Sequence, residues 1–281
     1  MTAAAPRRAA VLGHPVAHSL SPTLHRAAYE ALGLGDWQYD AFDVTEEDLP
    51  GFLAGLDGTW AGLSLTMPLK QTVIPLLDHI EPLAQVVGAV NTVLLQGSGA
   101  SRVLVGANTD VHGLVQALGE GLRGAPVTSA AVVGAGATAS STLAALAQLG
   151  CVSPVVYVRA MSRAGGLMRA AHRMGVTPQF RTLEDAATEI GRADAVVSTL
   201  PPHAADALAA AFTGPASGVL LDVAYDPRPT ALSTAWARAG GGVVGGERML
   251  LHQAAEQVRL MTGHPGPVDA MAAGLETQLS R

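Results

Sequence analysis

The sequence predicts an α/β protein of two domains, each built on a mostly parallel sheet. Three observations carry that expectation. Short apolar runs alternate with helical segments along the whole chain, and one of those runs enters a glycine turn that opens a helix. The chain has 281 residues, 49% of them apolar, enough for one large core or two modest ones.

In order, "AAVLG" (9–13), "WQYDAFDV" (37–44), "WAGLSLT" (60–66), "AVNTVLL" (89–95) and "RVLVGAN" (102–108) read as strands. Pro22–Leu32 and Glu46–Leu53 between them have helical spacing. A second series begins near residue 129. "AAVVGAG" is a strand running into a glycine turn, and Ala137–Leu149 is an alanine- and leucine-rich helix closed by Gly150. "PVVYV" (154–158), "ADAVVST" (193–199), "GVLLDVAY" (218–225) and "GGVVGG" (241–246) follow, the size of a doubly wound nucleotide-binding unit. The tail from Glu247 reads as two helices separated by "GHPGP" (263–267). The expected domains are 1–107 and 108–245, with 246–281 returning to the first. A ligand cleft is expected between the domains, where small-molecule sites concentrate.

Composition excludes several classes. Net charge is −6, charged residues are 14%, and the arginines are scattered. No basic stripe suits nucleic acid, and no basic amphipathic helix suits a membrane surface. The single cysteine, Cys151, excludes an internal disulfide and a multi-cysteine zinc site. The histidines, His14, His18 and His25 among them, show no tight ligand pattern with carboxylates, so no metal is expected. Residues 124–158 carry no charge, but Pro126, Gly134, Gly136, Gly150 and Pro154 break them into strand, turn, helix and strand. The N-terminal "MTAAAPRRAAVLGHP" lacks a long apolar stretch, so the expected location is cytoplasmic.

Lys70, in "GLSLTMPLK", is the only lysine among 17 basic side chains. Lysine is a compact charge whose pKa moves readily, whereas arginine stays protonated. Asp110 ends "GANTD" after the last strand of the first domain. A carboxylate and the only lysine, both expected at strand ends of one sheet, could share protons with a substrate hydroxyl. Ser19 and Ser21, in "GHPVAHSLSPTLH", stand before a helix. Ser21, followed by Pro22, reads as an N-cap; Ser19 does not, and the two hydroxyls could hold a carboxylate. Ser64 and Thr66 flank the next strand end, and Asn91 in "GAVNT" is an amide that burial would oblige to find a partner.

Gly134-x-Gly136-x-x-Ala139 follows an apolar strand and opens a helix, the arrangement that lets backbone N–H groups approach a pyrophosphate. The next strand ends at Arg159, with Arg163 a turn later and no acidic residue between. Two guanidiniums suit a 2′-phosphate, which favours NADP over NAD.

The chain resembles the shikimate dehydrogenases over essentially its whole length. "GHPVAHSLSPTLH", "LTMPLK", "GAVNT", "GANTD", "VVGAGATAS", "DVAYDPRPT" and "GERMLLHQAAEQVRLMTG" occur in the family's order. The resemblance implies a substrate domain, a Rossmann NADP domain and C-terminal helices packed back on the first. It implies reversible reduction of 3-dehydroshikimate to shikimate with NADPH, the fourth transformation of the shikimate pathway toward aromatic amino acids. Ser19 and Ser21 would bind the substrate carboxylate. Ser64, Thr66, Asn91 and Gln253 would hold ring hydroxyls with Tyr225 close by, and Lys70 and Asp110 would be the catalytic pair. Gly134, Ala135, Gly136, Ala137, Arg159, Arg163, Thr199 and Gly246 would line the NADP site. Two departures stand out. Ser64 occupies the family's usual asparagine position, with one hydroxyl and a shorter reach. Val158 and Ala160 replace the asparagine and threonine that usually flank the arginine, so adenosine contacts and strictness for NADP are expected to weaken. A quinate/shikimate dehydrogenase paralogue acting on a related hydroxy acid stays open. A nucleotide-sensing regulator without turnover is a remoter reading, which the Lys70/Asp110 pair opposes. Monomer and homodimer are equally compatible with the sequence.

Overall fold

The computed structural model describes residues 6–97 and 101–280. The chain divides into two compact units: one carries the chain up to Thr109 and from Leu251 onward, the other is Asp110–Leu250.

The first unit alternates β1 (Arg7–Gly13), α1 (Ser21–Ala31), β2 (Trp37–Asp43), α2 (Leu49–Ala54) and β3 (Trp60–Leu65). It continues with α3 (Leu69–Thr72), β4 (His79–Ile80), α4 (Pro82–Val87), β5 (Thr92–Gln96) and β6 (Val103–Ala107). The sheet order is β2-β1-β3-β5-β6-β4. β1 pairs parallel with β2 and β3, whereas β5 runs antiparallel to both β3 and β6. The β5–β6 hairpin is the antiparallel insert in a sheet expected to be mostly parallel. The core is aliphatic (Leu12, Leu49, Leu63, Leu69 and Val93), with Phe42 and Phe52 packed on Trp60.

The second unit opens with α5 (Asp110–Leu122) and runs β7 (Ala130–Val133), α6 (Ala137–Gln148), β8 (Val155–Val158), α7 (Gly165–Met174) and β9 (Gln179–Thr182). Then come α8 (Leu183–Glu189), β10 (Ala195–Ser198), α9 (Asp206–Ala211), β11 (Val219–Asp222), α10 (Ala231–Arg238) and β12 (Gly242–Gly245). Its sheet order is β12-β11-β10-β7-β8-β9, parallel throughout. That is the order of two βαβαβ halves meeting at β7 and β10, where doubly wound sheets bind ligands beyond the carboxyl ends of the strands. Gly150 (φ +103°) and Gly175 (φ +68°) let the chain turn after α6 and α7. Leu220, Leu232 and Trp236 fill one side of the sheet.

α11 (Gly246–Thr262) and α12 (Val268–Leu279) close the chain. In the first unit α12 packs on α1, and α11, which belongs to this unit from Leu251, lies close over β3 at Met261. A Cβ at Gly62 would stand 2.9 Å from the Met261 side chain and 2.8 Å from the Val93 carbonyl, so glycine there sets how near α11 comes. Among the described residues no helix is long and apolar enough to cross a membrane.

Candidate active site

In the first unit, Ser19 and Ser21 follow β1. The N-cap of α1 is Leu20, without a side-chain cap bond, and Ser21 is the first helical residue. The N-cap reading of Ser21 is therefore one residue off. Proline in the first turn supplies the preset φ instead, and the Ser21 side chain hydrogen-bonds Tyr39. The Ser21 N–H donates to Ser19 Oγ at 3.3 Å. Thr66, just past β3, rests so closely on Gly13 that a Cβ there would lie 2.2 Å from its methyl carbon.

Lys70 and Asp110 were both expected at strand ends, and neither is. Lys70 is the second residue of α3, half-buried, and its carbonyl accepts from the Val90 N–H at 2.8 Å. Asp110 is buried and opens α5, where a negative charge is favoured by the unsatisfied N–H groups of the first turn. Thr66–Pro68 separate β3 from the helical turn, because a proline cannot donate to a ladder.

Asn91 precedes β5 instead of lying within it. Its side chain is buried and hydrogen-bonded. Nδ2 donates to Thr109 Oγ1 (2.9 Å) and Gln253 Oε1 (3.2 Å), while Oδ1 accepts from the Thr109 N–H (2.8 Å) and Thr92 Oγ1 (2.9 Å). Asn91, Thr109 and Gln253 thus form one cluster from three segments. Beside it lie two residues that sequence reasoning missed, Tyr39 and Gln257. Gln257 sits one turn after Gln253 on the same face of α11, and that spacing was the available signal. His25 stacks on Tyr39 with ring centroids 3.9 Å apart. Complete burial lowers its pKa to about 3, against a weaker raising effect of its bond to Gln257, so the ring is neutral at pH 7.

In the second unit, Gly134, Ala135, Gly136, Arg159 and Arg163 line one groove of about 360 Å³ with Tyr157, Val158, Ala160, Leu183, Leu200 and Pro201. Gly134 has φ +118°, and a Cβ there would stand 2.4 Å from Thr199 Oγ1, so both conformation and space require glycine. Gly136 differs: its φ is −84° and a Cβ would meet nothing within 4 Å. No protein contact demands glycine there, at the start of α6. Arg159 and Arg163 are exposed. Of the remaining expected cofactor residues, Thr199 turns its hydroxyl inward to the Val133 carbonyl (3.0 Å), Ala137 begins α6, and Gly246 begins α11. These three are not part of the groove lining. Leu200 and Pro201 are, and their place after β10 was readable from the meeting of the two sheet halves. Tyr225 belongs to this unit, in a turn held by Asp222, whose carboxylate accepts from Thr230 Oγ1 at 2.7 Å. Burial raises the pKa of both Asp222 and Tyr225.

A glycine turn at the switch point, paired arginines at the end of the unit's second strand and an exposed groove define a dinucleotide-binding α/β protein, whose other unit carries a buried polar cluster. A family model described as the shikimate dehydrogenase substrate binding domain matches residues 11–93, and one described as the shikimate 5'-dehydrogenase C-terminal domain matches 246–275. The shikimate dehydrogenase (NADP(+)) of Thermosynechococcus vestitus is 35% identical over 96% of this chain and 94% of its own. The crystal structure of Mycobacterium tuberculosis shikimate dehydrogenase is 39% identical, with a TM-score of 0.85 over 97% of this chain and all of that one. That of the Thermus thermophilus shikimate 5-dehydrogenase in complex with NADP(H) and shikimate is 34% identical, with a TM-score of 0.81 over 96% of this chain and 99% of that one. The chain belongs to the shikimate dehydrogenase family.

Proposed function

We propose that the protein reversibly reduces 3-dehydroshikimate to shikimate with NADPH, working in the cytoplasm as a monomer or a homodimer. One observation carries this reading: the likeness to an enzyme named shikimate dehydrogenase (NADP(+)) runs over 96% of the chain. The glycine turn and the two exposed arginines fit an NADP phosphate in charge and in space.

Gly134, Ala135, Gly136, Arg159 and Arg163 would hold the cofactor, which supplies a hydride when bound. The remaining chemistry falls to side chains of this chain. Ser19 and Ser21 hold the substrate carboxylate near the start of α1. Thr66, Asn91 and Gln253 bind ring hydroxyls. Lys70 gives a proton to the ketone oxygen as the alkoxide develops, and takes it back in the oxidative direction. Asp110 orients the neighbouring hydroxyl. An arginine at position 70 could stabilise the oxygen but not release a proton near neutral pH.

The test is nicotinamide absorbance in a two-by-two assay, shikimate or quinate with NADP or NAD. Reduction of NADP by shikimate far exceeding the other three combinations is the expected result. Turnover of quinate at a comparable rate would move the assignment to a broader hydroxy-acid dehydrogenase.

A further inference from the structure

Ser64 is buried to 4% exposure and Gln257 to 1%, and the two are joined through a run of hydrogen bonds that crosses the first unit. Tyr39 donates its O–H to Ser64 Oγ at 2.6 Å, and Ser64 donates its own to Gln257 Oε1 at 2.8 Å. Gln257 Nε2 donates to the Asn91 carbonyl (3.2 Å) and to Thr92 Oγ1 (3.0 Å). Thr92 in turn donates to Asn91 Oδ1 at 2.9 Å. The direction of the run is fixed by chemistry. A carbonyl only accepts, so Nε2 of Gln257 must face Asn91 and Oε1 must face Ser64. Neutral His25 supplies the second donor to Oε1 at 3.3 Å, and accepts at its other nitrogen from the Tyr29 hydroxyl at 3.5 Å.

A serine hydroxyl has one proton to give. Here it goes to Gln257, and one of the two lone pairs takes the Tyr39 proton. Position 64 therefore has no donor for a ligand. Gln257, by contrast, reaches both the main chain of Asn91 and, through Thr92, its side chain. The register makes this possible: Gly62 and Ser64 share one face of β3, and Met261 and Gln257 share one face of α11. The close approach at Gly62 brings the second pair together.

We propose that Tyr39 and Gln257 are positioning residues of the substrate pocket, with Ser64 the hydroxyl relay between them and not a substrate ligand. The run holds Asn91 in the orientation that presents its cluster with Gln253. The proposal rests on reading that cluster as the hydroxyl-binding corner for shikimate.

A double-mutant cycle tests it, with Ser64→Ala and Gln257→Met alone and combined, and Tyr39→Phe as a milder variant. Each single variant is expected to raise KM for shikimate about three- to tenfold, the scale of one buried hydrogen bond, with kcat and KM for NADP within twofold. Ser64→Ala is expected to add nothing in the Gln257→Met background. The same cycle is read without turnover from the Asn91 side-chain amide signals in a ¹⁵N–¹H spectrum. Gln257→Met should shift them, and Ser64→Ala should shift them no further once Gln257 is gone. Additive effects on KM, or Asn91 signals blind to Gln257, would overturn the relay. An enzyme that fails to oxidise shikimate would defeat the functional reading alone, since the spectra still decide the relay.

Discussion

The two units solve recognition in opposite ways. In the first, polar side chains are buried and hydrogen-bonded to one another: Asn91, Thr92, Thr109, Gln253 and Gln257 come together from segments far apart in sequence. In the second, the groove is made of backbone, apolar side chains and two exposed arginines. A small polyol acid must be told from its isomers, and buried groups left unpaired by the wrong isomer do that well. A dinucleotide phosphate needs charge and open backbone, which a glycine turn supplies without a fixed network. The lesson is that a pocket's rigidity is built where discrimination is needed.

The largest test of this contrast is removal of the proposed proton carrier, Lys70, from the first unit. Lys70→Ala is expected to lower kcat by roughly 10²- to 10⁴-fold with KM for NADP unchanged, measured by steady-state kinetics. A variant retaining most of its turnover would take Lys70 out of the chemistry.

The next effect concerns the buried network itself. The His25 pKa is about 3 in the folded protein, against an ordinary value of 6.5 for the unfolded chain. Between those values the unfolded chain binds the extra proton, so stability rises with pH and is lost as pH falls from about 6.5 toward 3. By pH 5 the loss from this one group is about 2 kcal/mol. Denaturant unfolding at pH 7 and pH 5 should show a steeper loss for the unsubstituted protein than for His25→Gln. Equal slopes would mean that His25 is not held neutral.

Smaller effects belong to the open groove. Arg159→Ala should raise KM for NADP about tenfold and leave NAD within twofold, the discount for solvent exposure included. An equal change for both nucleotides would show that Arg159 does not read the 2′-phosphate. Gly136→Ala should raise KM for both nucleotides together while leaving the melting temperature unchanged or slightly higher, because its φ suits alanine and the Cβ meets no protein atom. A fall in melting temperature without a kinetic change would make Gly136 a folding requirement only.

How far the sequence reached follows the same division. The second unit's sheet was readable because each strand is an apolar run after a helix, and the glycine turn is local. Only β9 escaped, being a mostly exposed edge strand with the sequence "QFRT". In the first unit the tail helices and most strands were legible, but β4 has two residues and the antiparallel turn of β5 leaves no periodic trace. The network was out of reach for a physical reason. Ser64 finds its partner 193 residues away, and nothing local in "GLSLTMPLK" says that its hydroxyl faces Gln257 and not a ligand. Lys70 and Asp110 stood out by residue type; Lys70 was misplaced because a helical turn as short as α3 carries too little pattern to see, and Asp110 because β6 stops at Ala107 and the next helix begins at Asp110 itself.

On the proposed reading, proton transfer by Lys70 in the first unit is separable from cofactor holding in the second. Lys70→Arg tests it most directly, with NADP affinity by titration calorimetry and turnover of shikimate measured on the same sample. Unchanged NADP affinity is expected, with turnover as low as that of Lys70→Ala, since a guanidinium keeps the charge but not the readily released proton. Turnover within tenfold of the unsubstituted enzyme would contradict it, and would leave to position 70 only its charge.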